Sequence, residues 1–183
     1  MTPTLSTPNR PPNAPSQVAR LWLAGERAIG ALQRLQPLAL LGARCYVAAV
    51  FFRSGLTKLR DWDTTLALFN DEYHVPLLNP AVAAFMGTGA ELALPVLLAL
   101  GLFGRFAAAG LAILNVVAVL SLTEVPDAAL TGHVFWGSLL LGVLLWGPGA
   151  ISLDRFMVPW WRARVFGPGA ATGVPPSRVS RVA

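Results

Sequence analysis

Residues 79–101 read NPAVAAFMGTGAELALPVLLALG, an apolar run with a single carboxylate, Glu91, near its middle. As a helix rising about 1.5 Å per residue, the stretch spans roughly 30 Å, the thickness of a bilayer's hydrocarbon core. A charge at that depth costs on the order of 3 kcal/mol on insertion scales, so Glu91 is expected to face protein or trapped water. Pro95, four residues on, has no N–H for the Glu91 carbonyl and crowds it, which predicts a bend. A side-chain acid, a freed backbone acceptor and the small neighbours Gly87, Gly89 and Ala90 thus coincide at one depth.

The rest of the composition agrees with a membrane setting. Of 183 residues, 55% are hydrophobic and 13% charged, where soluble domains carry about a quarter charged. Four spans of about 20 residues fill the chain with one bundle and leave no room for a second globular domain. The net charge of +5 does not argue for nucleic acid, because the bases gather towards the two ends, where they report topology. The single cysteine, Cys45, excludes a disulfide within the chain and a thiol-pair relay; inside an apolar span it is expected to be a buried small hydrophobe.

Working outward, residues 1–15 are proline-rich, lack the apolar core of a signal peptide and are expected to be disordered. Residues 16–36 carry Arg20, Arg27 and Arg34 along one stripe, with Leu21, Ala24, Ala28, Leu32 and Leu35 on an apolar side. That pattern predicts an amphipathic interfacial helix, with a solvated helix docked on the bundle as the alternative. Pro37 suits a first helical turn and opens span one, to Thr57. Within residues 58–78, Leu66, Phe69 and Tyr73 share a face and Asp61 or Asp63 can cap, predicting a short interfacial helix ended by Pro76. Residues 101–105, GLFGR, form a tight turn that makes spans two and three antiparallel neighbours. Span three covers residues 106–122 and span four 128–146, and Ala83/Gly87 and Ser138/Gly142 are spaced for close helix contact. The expected architecture is therefore an all-α, four-helix transmembrane bundle. An amphipathic helix precedes it, a short interfacial helix joins spans one and two, the membrane domain covers residues 37–147, and 148–183 form a C-terminal tail.

Flanking charge sets orientation. Arg10, Arg20, Arg27 and Arg34 precede span one; Arg155, Arg162, Arg164, Arg178 and Arg181 follow span four; the link between spans three and four has only Glu124 and Asp127. Both termini are expected in the cytoplasm, and the protein in a bacterial inner membrane. Counting from Pro37 puts Arg44 about 10 Å from the cytoplasmic edge, and counting from Gly101 puts Glu91 about 15 Å from it. An Arg44–Glu91 ion pair is the expected partnership, serving either a site or only helix register. Arg53, Lys58 and His133, with His74 nearby, lie towards the outer edge and are candidates for a basic pocket. Individually, Lys58 can snorkel and His133 can bond a backbone carbonyl. No metal site is expected, and no dinucleotide or Walker motif is present.

Three stretches, FFRSGLTKL (51–59), AELALPVLLALGLFGR (90–105) and HVFWGSLLLGVLLWGPGAISLD (133–154), with Arg44, resemble the DoxX family of small four-span membrane proteins. The features carrying the likeness are Gly55-x-x-Lys58, Glu91, and Leu98, Gly101 and Arg105 at the following turn. The resemblance implies a membrane subunit associated with redox or stress chemistry, since the family takes its name from a thiosulfate:quinone oxidoreductase subunit. The LFNDEYHVPLLNP link (68–80) resembles proteobacterial members often encoded beside a metal-dependent enzyme that modifies Cys-rich peptides. The expected ligand is a quinone or small lipophile near Arg44, Arg53, Lys58 and Glu91, with His133 as a proton carrier. No motif for flavin, haem or NAD accompanies it. The alternatives are a non-catalytic anchor or assembly partner for a soluble redox or metal-dependent enzyme, and a small proton-coupled transporter using Glu91. A homo-oligomer is compatible with either.

Overall fold

The computed structural model describes residues 16–75, 77–122 and 124–167. The expected disorder of residues 1–15 and of the tail beyond Gly167, and Pro76 as a helix stop, lie outside them. The described residues form six helices: α1 Gln17–Arg60, α2 Trp62–Asp71, α3 Pro80–Leu100, α4 Gly104–Ser121, α5 Asp127–Trp146 and α6 Asp154–Phe166. Four of these, α1, α3, α4 and α5, are long and apolar enough to cross a membrane. The all-α, four-span expectation holds.

Two elements differ from the sequence reading. Helix α1 runs through Pro37 without a break, because losing one backbone hydrogen bond does not interrupt those on either side. The chain nevertheless divides into two compact units, Met1–Gln36 and Pro37–Ala183. In the first, Trp22 Nε1 donates to Glu26 Oε1 at 2.8 Å, and Val18, Leu21 and Trp22 are exposed. In the second, Asp154–Phe166 is a helix where only a tail with an aromatic anchor was expected.

Local chemistry fixes most ends. Asn79 Oδ1 accepts from Ala81 N and Pro80 occupies the first turn of α3. Gly101, at φ +64°, closes α3 in the left-handed region. Asp61 caps α2, accepting from Thr64 N at 3.0 Å. Asp154 accepts from Phe103 N and Gly104 N, both at 2.8 Å, and so caps α4 from across the α3–α4 turn.

The core of the second unit joins Val47 and Phe51 of α1 to Leu98 of α3, Ala107, Ala108 and Leu111 of α4, and Leu140 and Val143 of α5. A satellite cluster sets Phe69 of α2 against Ala83 and Ala84. The Ala83/Gly87 pair thus meets α2, where Gly87 faces the Phe69 ring. Ser138 is exposed and Gly142 faces only Trp146, so that pair makes no helix contact. Cys45 is exposed on the outer face of α1 rather than buried.

Candidate functional site

The vertical register of α1 against α3 decides which groups meet. A Cβ on Gly55 would lie 3.0 Å from Glu91 Cβ, so these two positions share a level. At the other end the Arg44 guanidinium lies against Gly101. The two contacts agree: eleven residues of α1 and ten of α3 separate them, about 16 and 15 Å. Arg44 is therefore at the end of α3, a full half-span from Glu91. The expected Arg44–Glu91 ion pair does not form, because α1 starts well before Pro37 and a depth counted from that proline is wrong.

Glu91 pairs instead with Lys58, whose Nζ is 2.5 Å from Oε1. Lys58 sits one turn beyond Gly55, in the last turn of α1. Past the level of Gly55, α1 continues only to Arg60, about 8 Å, while α3 rises about 16 Å to Pro80. The short helix α2 packs beside that protruding half of α3. Thr65 ties α2 to the end of α1 by donating to Lys58 O and Asp61 O, both at 2.9 Å. Lys58 Nζ also donates to Ser54 Oγ at 3.3 Å. The lysine side chain is 19% exposed and the glutamate 7%, so neither charge can shed its desolvation cost on solvent. Glu91 Oε2 and Thr88 Oγ1 are buried without a hydrogen-bond partner.

A cavity of about 280 Å³ opens beside the pair, between α3 and α4 and under α2. Its wall is apolar (Phe69, Met86, Leu94, Ile113 and Val117 among others), with Lys58, Glu91, Tyr73 and Ser121 supplying polarity. Gly110 lies so near Leu94 that a methyl there would collide with its Cδ1, which keeps α3 and α4 close at this point. At the Pro80 end of α3, Tyr73 forms an antiparallel bridge with Leu122, and His74 N donates to Ser121 O at 2.9 Å. The α2–α3 link is thus fastened to the end of α4 over the cavity. Burial, followed by the neighbouring Glu91 and Glu72 charges, raises the Tyr73 phenol above its ordinary pKa.

The remaining candidates are elsewhere. Arg44, 1% exposed, donates through Nη2 to Ile151 O, and its Nε and Nη1 have no partner. It knits α1 to the link after α5. Arg53 is exposed and does not line the cavity. His133 bonds Asn115 reciprocally: Asn115 Nδ2 donates to His133 O at 2.9 Å, and Asn115 Oδ1 is 2.8 Å from His133 Nδ1. The amide's orientation makes Nδ1 the protonated ring nitrogen. His74 is exposed, 3.2 Å from Glu72 O. The structure brings together Lys58 and Glu91, and not Arg44, Arg53 or His133. Tyr73 and Ser121 went unnoticed as site residues; the helical spacing of Leu66, Phe69 and Tyr73 marked the tyrosine only as part of an apolar face, and α2 ends at Asp71, before it.

Compared with known proteins, residues 39–124 match the family model DoxX. That segment runs from within α1 through α4 and contains both Lys58 and Glu91. No curated protein and no solved structure matches the chain.

Proposed function

We propose that this DoxX-family multi-pass membrane protein, matched to its family over residues 39–124, binds the polar head of a small quinone-like lipophile in the Lys58–Glu91 cavity. The observation that carries the reading is a small apolar chamber with the Lys58–Glu91 ion pair in its wall. Lys58 has the donor for a carbonyl or phenolate oxygen, and the Glu91 carboxylate the acceptor for a hydroxyl. The same pair therefore accommodates an oxidised or a reduced head by exchanging which group does the bonding. The apolar wall suits a ring and the start of a tail. Arg53 and His133 have no part in this binding.

The chain contributes recognition, and redox or stress chemistry would come from a soluble redox or metal-dependent partner enzyme. The arginines at both ends support cytoplasmic termini in a bacterial inner membrane.

Equilibrium binding of a short-tailed benzoquinone to the full chain in detergent tests the reading. Glu91→Gln is expected to weaken binding about tenfold or more, and Arg53→Gln to leave it unchanged. No measurable binding by the folded wild type, or equal binding by Glu91→Gln, contradicts it.

A further inference from the structure

At the end of the bundle away from this cavity, a groove of about 1180 Å³ runs between the first turn of α4, the Gly147–Pro148–Gly149 turn and α6. The walls are held in place by backbone. Leu153 N and Asp154 N donate to Leu100 O and Gly101 O, at 3.2 and 3.0 Å. Gly104 lets Pro148 approach so closely that a Cβ there would collide with the proline ring. The lining combines exposed aromatics, Phe103, Phe106, Trp146 and Trp161, with Arg105, Arg155 and Arg162.

The charge balance in this groove is one-sided. Its one acid, Asp154, already has both oxygens engaged by Phe103 N and Gly104 N. Arg105 donates from Nε to Leu144 O and from Nη2 to Leu145 O, which leaves Nη1 without a bond among the described residues. Arg155 makes one long contact, 3.5 Å to Ala150 O. Arg162 makes none among the described residues, whereas Arg164 stacks on Trp160, 4.6 Å from the ring centroid, outside the groove. Three arginines thus line an apolar, aromatic-walled trough at the end of the membrane spans. Aromatic rings at headgroup depth beside arginines recognise an anionic headgroup on an apolar tail.

We propose that this groove is a binding site for an anionic phospholipid, its phosphate held by Arg105, Arg155 and Arg162 and its acyl chains laid against Phe106, Trp146 and Trp161. Residues 168–183 are a poor competitor for the place, since Arg178 and Arg181 are their only charged side chains. The inference is independent of the quinone-like ligand, which would occupy the opposite end of the bundle.

The test is native mass spectrometry of the full chain in mild detergent, with phosphatidylglycerol and phosphatidylcholine added in equal amounts. Wild type is expected to retain phosphatidylglycerol preferentially. Arg155→Gln and Arg162→Gln should each reduce that retention about fivefold and leave phosphatidylcholine retention unchanged. Neither side chain holds the bundle together, and Arg162→Lys, which keeps the charge, should restore most of the effect. Equal retention of the two lipids by wild type, or a preference that survives both substitutions together, overturns the proposal.

Discussion

Gly55 and Glu91 touch: a methyl group at position 55 would lie 3.0 Å from the glutamate Cβ and equally near two atoms of Leu92. This contact sets the level at which α1 meets α3, and hence which base reaches the acid. A larger side chain must push the helices apart. Gly55→Val is expected to destabilise the protein by about 1–3 kcal/mol. Gly89→Ala, where nothing lies within 4 Å of the added carbon, should be neutral or stabilising by up to about 1 kcal/mol. Thermal or denaturant unfolding in detergent measures both.

Arg44 and Gly101 form the matching fastening at the other end. Gly101 has φ +64°, and a Cβ there would run into the guanidinium and Ser152. Gly101→Ala combines left-handed strain of about 1–2 kcal/mol with that collision, and should destabilise by more than the strain alone. The Arg44→Met variant removes the collision with the guanidinium and leaves the one with Ser152. The double variant is therefore expected to lose less stability than the two single losses added together, which a double-mutant cycle measures.

Asn115 and His133 satisfy each other across α4 and α5. Replacing either by Leu strands its partner and should cost about 1–2 kcal/mol, with a coupling of about 0.6–1.7 kcal/mol in the double variant. Because this pair is not in the cavity wall, ligand binding should be unchanged in the folded variants. A loss of binding on His133→Leu would restore the histidine to the site.

The Tyr73 phenol reports the charge on Glu91. Its folded pKa is raised above the usual 10.0, by burial first and by Glu91 next. The neutral phenol's contribution to stability is therefore complete below the unfolded value and is lost as pH rises through the folded one. In a Tyr46→Phe background Tyr73 is the remaining tyrosine. Its tyrosinate absorbance should then appear at lower pH when Glu91→Gln is added. No movement would contradict the coupling between the two side chains.

The boundaries of spans two to four were legible because apolar runs of membrane length and turn residues such as Gly101 and Gly147 speak locally. Glu91 was legible for the same reason, as an acid in an apolar run. Its partner was not, because pairing depends on how far α1 slides along α3, a quantity no single helix encodes. Pro37 suggested a starting line that the helix ignores. Gly55-x-x-Lys58 did hold the information: a residue small enough to touch the neighbouring helix, then a lysine one turn on. Helix α6 was obscured by Pro159 within a short segment that mixes aromatic residues with arginines.

Removing both charges together separates a site from a scaffold. Losing one partner of a buried pair costs about 3–5 kcal/mol, whereas replacing both with apolar groups is often neutral or stabilising. The decisive measurement is benzoquinone binding by the Lys58→Met/Glu91→Met double variant, with its unfolding midpoint recorded alongside. A protein as stable as wild type that no longer binds is the expected result. A stable double variant that binds as wild type does would contradict the assignment of this ion pair as the ligand's polar anchor.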